Sequence, residues 1–148
     1  MSSLHKTIRG AVKTEIVAAL AAESITGVSV HEQDVPGEPS LPTLPCVIVS
    51  YAGPETEIGG TNLRDDWQYP ISVGLYTTES EGTPVGVEVT RFRQIVRKKF
   101  HNKRLNGVPE VWICQYDGQA PVVDEDAPAI EHLRTACVIT AVARVGRT

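Results

Sequence analysis

Apolar residues recur every fourth position at the start of the chain: Leu4, Ile8, Val12, Ile16 and Leu20. Ala11 and Ala19 fall on the same side, and Lys6, Lys13 and Glu23 lie elsewhere. That spacing returns each side chain to one face of a 3.6-residue turn and predicts an amphipathic helix of about five turns. Ser2 or Ser3 is placed to cap it and Gly27 to end it. A second helical stripe, Val85, Val89, Phe92, Val96 and Phe100, advances by 4, 3, 4 and 4 residues. Pro84 suits its first turn and Asn106-Gly107 its end. On the same wheel Arg91, Gln94, Arg97, Lys98 and His101 point away from the stripe.

Elsewhere the pattern is that of strands. "VSVHE" (28–32) alternates, and "CVIVSY" (46–51) is a continuous β-branched run suited to a central strand. Between them "QDVPGEPSLPTLP" (33–45) has four prolines in thirteen residues, which predicts a long, semi-rigid loop. "AGPETEIGGTNLRDD" (52–66), with Gly53-Pro54 and Gly59-Gly60, reads as an extended hairpin tip or arm leading into the strand "WQYPISVGLYT" (67–77). Pro70 cannot donate to a ladder, so an edge or a bulge is expected there. "VPEVWICQY" (108–116) ends at the Asp117-Gly118 turn. After the loop "APVVDEDAPA", "EHLRTACVITAVARV" (131–145) predicts a long last strand with Leu133, Cys137, Ile139, Ala141 and Val145 on one side. The order α-β-β-β-α-β-β, with hairpin-like links, predicts an α+β fold: a mostly antiparallel sheet flanked by two helices. Segments 33–43 and 52–64, polar and rich in Pro and Gly, are expected to be mobile in a free subunit and ordered in an assembly.

Length, composition and charge narrow the picture. One domain spanning residues 1–148 is the economical reading of a 148-residue chain with 41% hydrophobic and 22% charged residues. No apolar run approaches the roughly 20 residues that span a bilayer, and "MSSLHKTIRG" lacks a signal core, so a protein made in the cytoplasm and away from membranes is expected. Cys46, Cys114 and Cys137 each sit in an apolar strand-like run, odd in number and without a CxxC, which predicts buried thiols.

The candidate chemistry is sparse. His5, His31, His101 and His132 show no metal-ligand spacing, and nucleophile-elbow, P-loop and dinucleotide motifs are missing. Asp65-Asp66 and Asp124-Glu125-Asp126 are the carboxylate clusters. Of these, Asp65, Asp66 and Asp124 would be the candidates in a small carboxylate enzyme, the weaker reading. No catalytic, cofactor-binding or metal site is therefore assigned, and the chain is expected not to be an enzyme. The densest feature is "RFRQIVRKKFHNKR" (91–104), with seven of the fourteen Lys and Arg residues in a chain of net charge -4. Phe92 and Phe100 belong to the inward stripe, which leaves no aromatic for base stacking, and the pI near 5.5 disfavours phosphate as the main partner. A nucleic-acid-binding module using helix 91–104 is thus a lesser alternative to a solvated face or a protein interface.

The order of elements, the L-P-x-V-x-V strand entry at Leu44–Val49 and the Y-x-I-x-V-like strand at Tyr69–Val73 together resemble the tail terminator family of long-tailed bacteriophages. These are tail-completion, or minor tail protein U-like, proteins with relatives in prophages and gene transfer agents. The resemblance covers almost the whole chain. It implies a structural virion protein of the neck region, assembled in the host cytoplasm as a homohexameric ring. Such a ring caps the tail tube, stops its polymerisation and offers a docking surface to the head-tail connector proteins. DNA would pass through without specific binding, and no cofactor is expected. Another head-tail joining protein is the nearest alternative. A closed ring needs one patch to meet a different one. Basic Arg91, Arg93, Arg97 and Lys98 and acidic Asp65 and Asp66, or Asp124–Asp126, are the candidate pair.

Overall fold

The computed structural model describes residues 3–35, 38, 40, 42–60, 64–77, 89–118 and 133–146. Helix α1 runs from Leu4 to Ala22 and buries Ile8, Val12, Ile16, Ala19 and Leu20. Ser3 is its cap, its hydroxyl accepting from the Lys6 N–H at 3.1 Å. The helix ends before Gly27. Ser24 takes the left-handed conformation (φ 57°), its N–H donating to Ala21 O (3.0 Å), and the Ile25 N–H donates to Leu20 O (2.9 Å). This is a Schellman reversal, and Ile25 packs back on the core that holds Leu20. Gly27, at φ 81°, makes the next turn instead.

The remaining elements are β1 (Ser29–Glu32), β2 (Cys46–Tyr51), β3 (Thr56–Gly60), β4 (Arg64–Tyr76), α2 (Val89–Phe100), β5 (Val111–Asp117) and β6 (Leu133–Gly146). They build an α+β fold with a sheet ordered β1-β2-β4-β6-β5. Only β1 and β2 pair in parallel; the other pairings are antiparallel. The short β3 forms inside the expected arm and pairs with the first part of β4, alongside Trp67 and Gln68, where β2 has already left the sheet.

Both helices cover one face of this sheet. Ile8, Val12, Ile16 and Leu20 of α1 and Phe92, Val96 and Phe100 of α2 join Val47, Val49, Ile71, Val73, Leu75, Cys137, Ile139 and Ala141 in one core. The alternation that puts every second strand residue under the helices is the period-two pleat. Val85 and Pro84 lie outside the described residues. Glu15–Lys99 (3.0 Å) and Glu23–Arg91 (3.3 Å) join the two helices, a pairing that requires them to run antiparallel.

Two local expectations change, and a third, the edge or bulge expected at Pro70, is met inside the sheet. Leu133 does not share the side of Cys137; it packs with Cys46, Ile48 and Tyr76 on the opposite face. The register slips between Leu75↔Thr135 and Tyr76↔Leu133, and the extra residue of that bulge reverses the alternation. Pro70 lies in the middle of the sheet. Its C=O accepts from the Ala52 N–H at 3.2 Å, so its nitrogen faces the gap between the end of β2 (Tyr51↔Ile71) and the start of β3 (Thr56↔Gln68). The missing N–H therefore removes no ladder bond, because β4 is locally an edge there. Helix α2 stops at Phe100, well before Asn106-Gly107. Asn102 adopts φ 58°, a conformation Asn tolerates, and its N–H is drawn to Cys114 O at 2.8 Å.

Two outcomes follow from this packing. Phe92 is fully buried, so Phe92→Ala is expected to lower unfolding free energy by about 3–5 kcal/mol, measured by denaturant titration. Burial also pushes the thiols up, Cys46 and Cys114 to about 11 and Cys137 to about 12 despite the nearby Arg93 charge. Above the ordinary thiol pKa the unfolded chain ionises these groups and the folded chain does not. Denaturant midpoints are therefore expected to fall as pH rises from about 8 to about 10, and a Cys46→Ala/Cys114→Ala/Cys137→Ala chain to fall less.

Candidate functional site

The basic run 91–104 is an outer helix face and the turn after it, and most of its charges are engaged within the subunit. Arg91 donates to the side chain and the carbonyl of Glu23, both at 3.3 Å. Lys99 pairs with Glu15, and the Lys103 ammonium donates to Lys98 O at 2.5 Å. Arg93, expected outside, turns inward. Its Nη1 donates to Thr135 Oγ1 at 2.8 Å and to Ala136 O at 3.5 Å, and its Nη2 to Gly118 O at 2.6 Å. One guanidinium on α2 thus holds the end of β5 and the start of β6 together, the fork geometry that arginine alone provides. A Cβ at Gly118 would crowd Arg93 Nη2, so the end of that flexible side chain would have to shift from its present contact. The side chains of Arg97, Lys98 and Arg104 make no hydrogen bond or ion pair among the described residues. Arg97 lines an open groove of about 580 Å³ with Thr90, Arg91, Arg93, Gln94 and Tyr116.

The turn after α2 closes one edge of the sheet. Asn102 N–H donates to Cys114 O (2.8 Å), Cys114 N–H to Lys103 O (2.7 Å), and the Tyr116 N–H to His101 Nδ1 (3.1 Å). The His101 ring therefore carries its proton on Nε2. With Val111 N–H held by Val108 O at 3.1 Å, the outward groups of β5 are largely occupied, which blunts it against strand pairing.

Of the acidic candidates, Asp66 holds Arg144 in a two-pronged contact, 2.9 Å from Nε and 3.4 Å from Nη2. That hydrogen bond keeps the Asp66 carboxyl below its ordinary range. Asp65, its neighbour on β4, points to the other face and is also engaged. Asp124, Glu125 and Asp126 lie outside the described residues, as does His132. Among the described residues no three His, Cys, Asp or Glu side chains gather as metal ligands.

A cluster that spacing did not reveal sits where α1 meets the base of the arm. His5, nearly buried, lies 4.5 Å from the Tyr51 ring and 5.4 Å from Tyr69, and its Nε2 is 3.0 Å from Pro70 O. Arg9 lies over Tyr51 at 4.5 Å and bonds Glu32 (3.2 Å) and Asp34 (2.6 Å). Burial opposes its charge, but the bond to Asp34, Tyr51 and Glu32 together raise its pKa above the ordinary value. Arg9 falls on the helix side next to Ile8, and its signal in the sequence is a charge adjoining an apolar stripe. The cluster ties α1 to β1, β2 and the proline-rich loop. Its groups are engaged with one another, as befits an anchor.

Removing Arg93 leaves two carbonyls and a hydroxyl without their donor. Arg93→Met is expected to cost about 2 kcal/mol and Gly118→Ala less, with the double variant less than additive in thermal or denaturant unfolding.

No family model matches the chain, and no curated protein matches it in sequence. Among solved structures it is similar to the sheath/tube terminator of an extracellular contractile injection system, PVC, seen by cryo-electron microscopy in the extended state. The likeness has a TM-score of 0.53 at 10% identity over 93% of this chain. It spans 56% of that terminator, a little over half its length. At that identity the two chains share a fold: a sheet with its helices, as found in a sheath/tube terminator.

Proposed function

We propose that this chain is a structural tail protein that forms a homohexameric ring on the end of a tail tube, ends tube growth and presents a docking surface to head-tail connector proteins. The observation that carries this reading is the fold likeness to a sheath/tube terminator over 93% of the chain. The arrangement of the surface supports it. Arg97, Lys98 and Arg104, on and just beyond α2, make no hydrogen bond or ion pair among the described residues, and one sheet edge is blunted. In this role the chain is not an enzyme, takes no cofactor, belongs to the virion neck and is assembled in the host cytoplasm. Its net charge of -4 per copy disfavours retention of the DNA that passes through.

Arg97 and Lys98 are the basic-face residues to test, because Arg93 and Arg91 are engaged internally. Arg97→Glu/Lys98→Glu is expected to melt within a few degrees of the parent, as surface substitutions do. Tails made with it are expected to be overlong and headless, measured by negative-stain lengths. Normal tails of normal length with heads attached would remove this face from the assembly.

A further inference from the structure

Charge is segregated along this chain, and the fold turns that segregation into two opposite edges. Residues 14–63 contain no Lys or Arg and seven carboxylates, whereas residues 89–112 contain seven Lys or Arg and one Glu. Strand β6 pairs with β4 along its whole length, so β3 must lie on the other side of β4. At the arm end the layer therefore reads β3-β4-β6-β5, with β3 and β5 as its lateral edges.

Each edge bears one large exposed apolar side chain beside charges of one dominant sign. On β3 it is Ile58, 50% exposed, beside Glu57, which is exposed and makes no hydrogen bond or ion pair among the described residues. Ile58 falls at the bulge where the register shifts between Glu57 and Gly59. On β5 it is Trp112, 43% exposed, also at a bulge, where the register shifts between Val111 and Ile113. Trp112 lines a cleft of about 320 Å³ with Arg64, Arg104, Pro109, Glu110 and Arg144, three cations to one carboxylate. Asp66 fixes Arg144 there, while Arg104 makes no hydrogen bond or ion pair among the described residues.

We infer that the β3 edge of one copy docks on the β5 edge of the next, with Ile58 against Trp112 in the cleft and Glu57 against Arg104. The occupant is a second copy of this chain because the same molecule carries the complement: an apolar knob flanked by acid on one side and an aromatic cleft flanked by arginine on the other. Two different patches on opposite edges make a heterologous contact, which propagates and closes into a ring when the rotation permits. Trp and Arg are the side chains that dominate interface energetics when a rim excludes water from them. The bonds from His101 and Lys103 cap β5 farther along, so the contact is made by side chains, not by a continued sheet. It is then salt-sensitive, as a contact steered by opposite charge should be. The inference rests on the ring reading above and names the contact that builds it.

The test uses the full chain and native mass measurement over a concentration series at low and at about 0.5 M salt. The parent is expected to associate, less so at high salt. Glu57→Lys and Arg104→Glu are each expected to weaken association about tenfold or more, and Trp112→Ala about thirtyfold, at unchanged melting temperature. Mixing the Glu57→Lys and Arg104→Glu chains is expected to restore assembly, because each then meets its complement only in the other, giving even-numbered, alternating assemblies. Single variants that assemble like the parent would overturn this contact while leaving the ring. A parent chain that stays monomeric throughout would overturn both. Single-stranded DNA binding lost in Trp112→Ala and Arg104→Glu, with self-association unchanged, would assign the cleft to nucleic acid and overturn the proposal.

Discussion

Strands β4 and β6 run antiparallel from Arg64 opposite Gly146 to Tyr76 opposite Leu133, and every other element is placed by that ladder. On one flank β4 receives β2 along its second half and β3 along its first, with Pro70 at the gap between them. On the other flank β6 receives β5. The shared face of the ladder, Ile71, Val73, Cys137, Ile139 and Ala141, is the floor on which both helices lie. A central antiparallel pair buried on its helix face cannot slip by one residue without moving that whole set to the wrong side. The bulge at Leu75/Tyr76 is tolerated because it comes at the end, where only Leu133 changes face.

The basic segment shows how a conspicuous run of charge can be mostly structural. Among the described residues four of its seven cations find acceptors: two on the carboxylates of Glu15 in α1 and Glu23 at its C-terminal cap, one on the β5 and β6 ends, one on the helix carbonyl of Lys98. Arg93 is the most consequential, since its fork holds two chain segments that a lysine's single ammonium could not span in the same plane. Arg97, Lys98 and Arg104, without such acceptors among the described residues, form a smaller surface than the sequence displays. The same holds for acid: Asp66 is spent on Arg144, and Glu32 and Asp34 on Arg9, whereas Glu57 has no such partner among the described residues. Glu57 on β3 and Arg104 beyond α2, which make no hydrogen bond or ion pair among the described residues, lie toward opposite edges of the sheet and are the groups the proposed contact would join.

Much of the fold was legible in the chain because it rests on local periodicity. The four-residue spacing of Leu4, Ile8, Val12, Ile16 and Leu20 marked α1. Phe92, Val96 and Phe100 marked the inner face of α2, and the β-branched run at 46–51 marked a buried strand. Each follows from the geometry of a single element, and so did the buried state of Cys46, Cys114 and Cys137. Element ends were read less well. Ser24 and Asn102 close their helices because Ile25 is drawn to the core and Asn102 to Cys114, contacts made by residues far apart in sequence or committed to the core.

The sequence by itself determined the α+β class, the order of elements, the apolar faces and the total of charge. Tertiary structure decided which charges are spent. Whether Arg93 points out or in depends on Gly118 and Thr135, brought to it only when β5 and β6 pair. Whether Pro70 is tolerated mid-sheet depends on where β2 ends and β3 begins. An ion pair such as Asp66–Arg144 joins residues 78 positions apart, and no periodicity encodes such a distance. Hydrophobic pattern is a property of one element at a time, while hydrogen bonds and ion pairs are directional and short-ranged, so their partners exist only after the chain has folded.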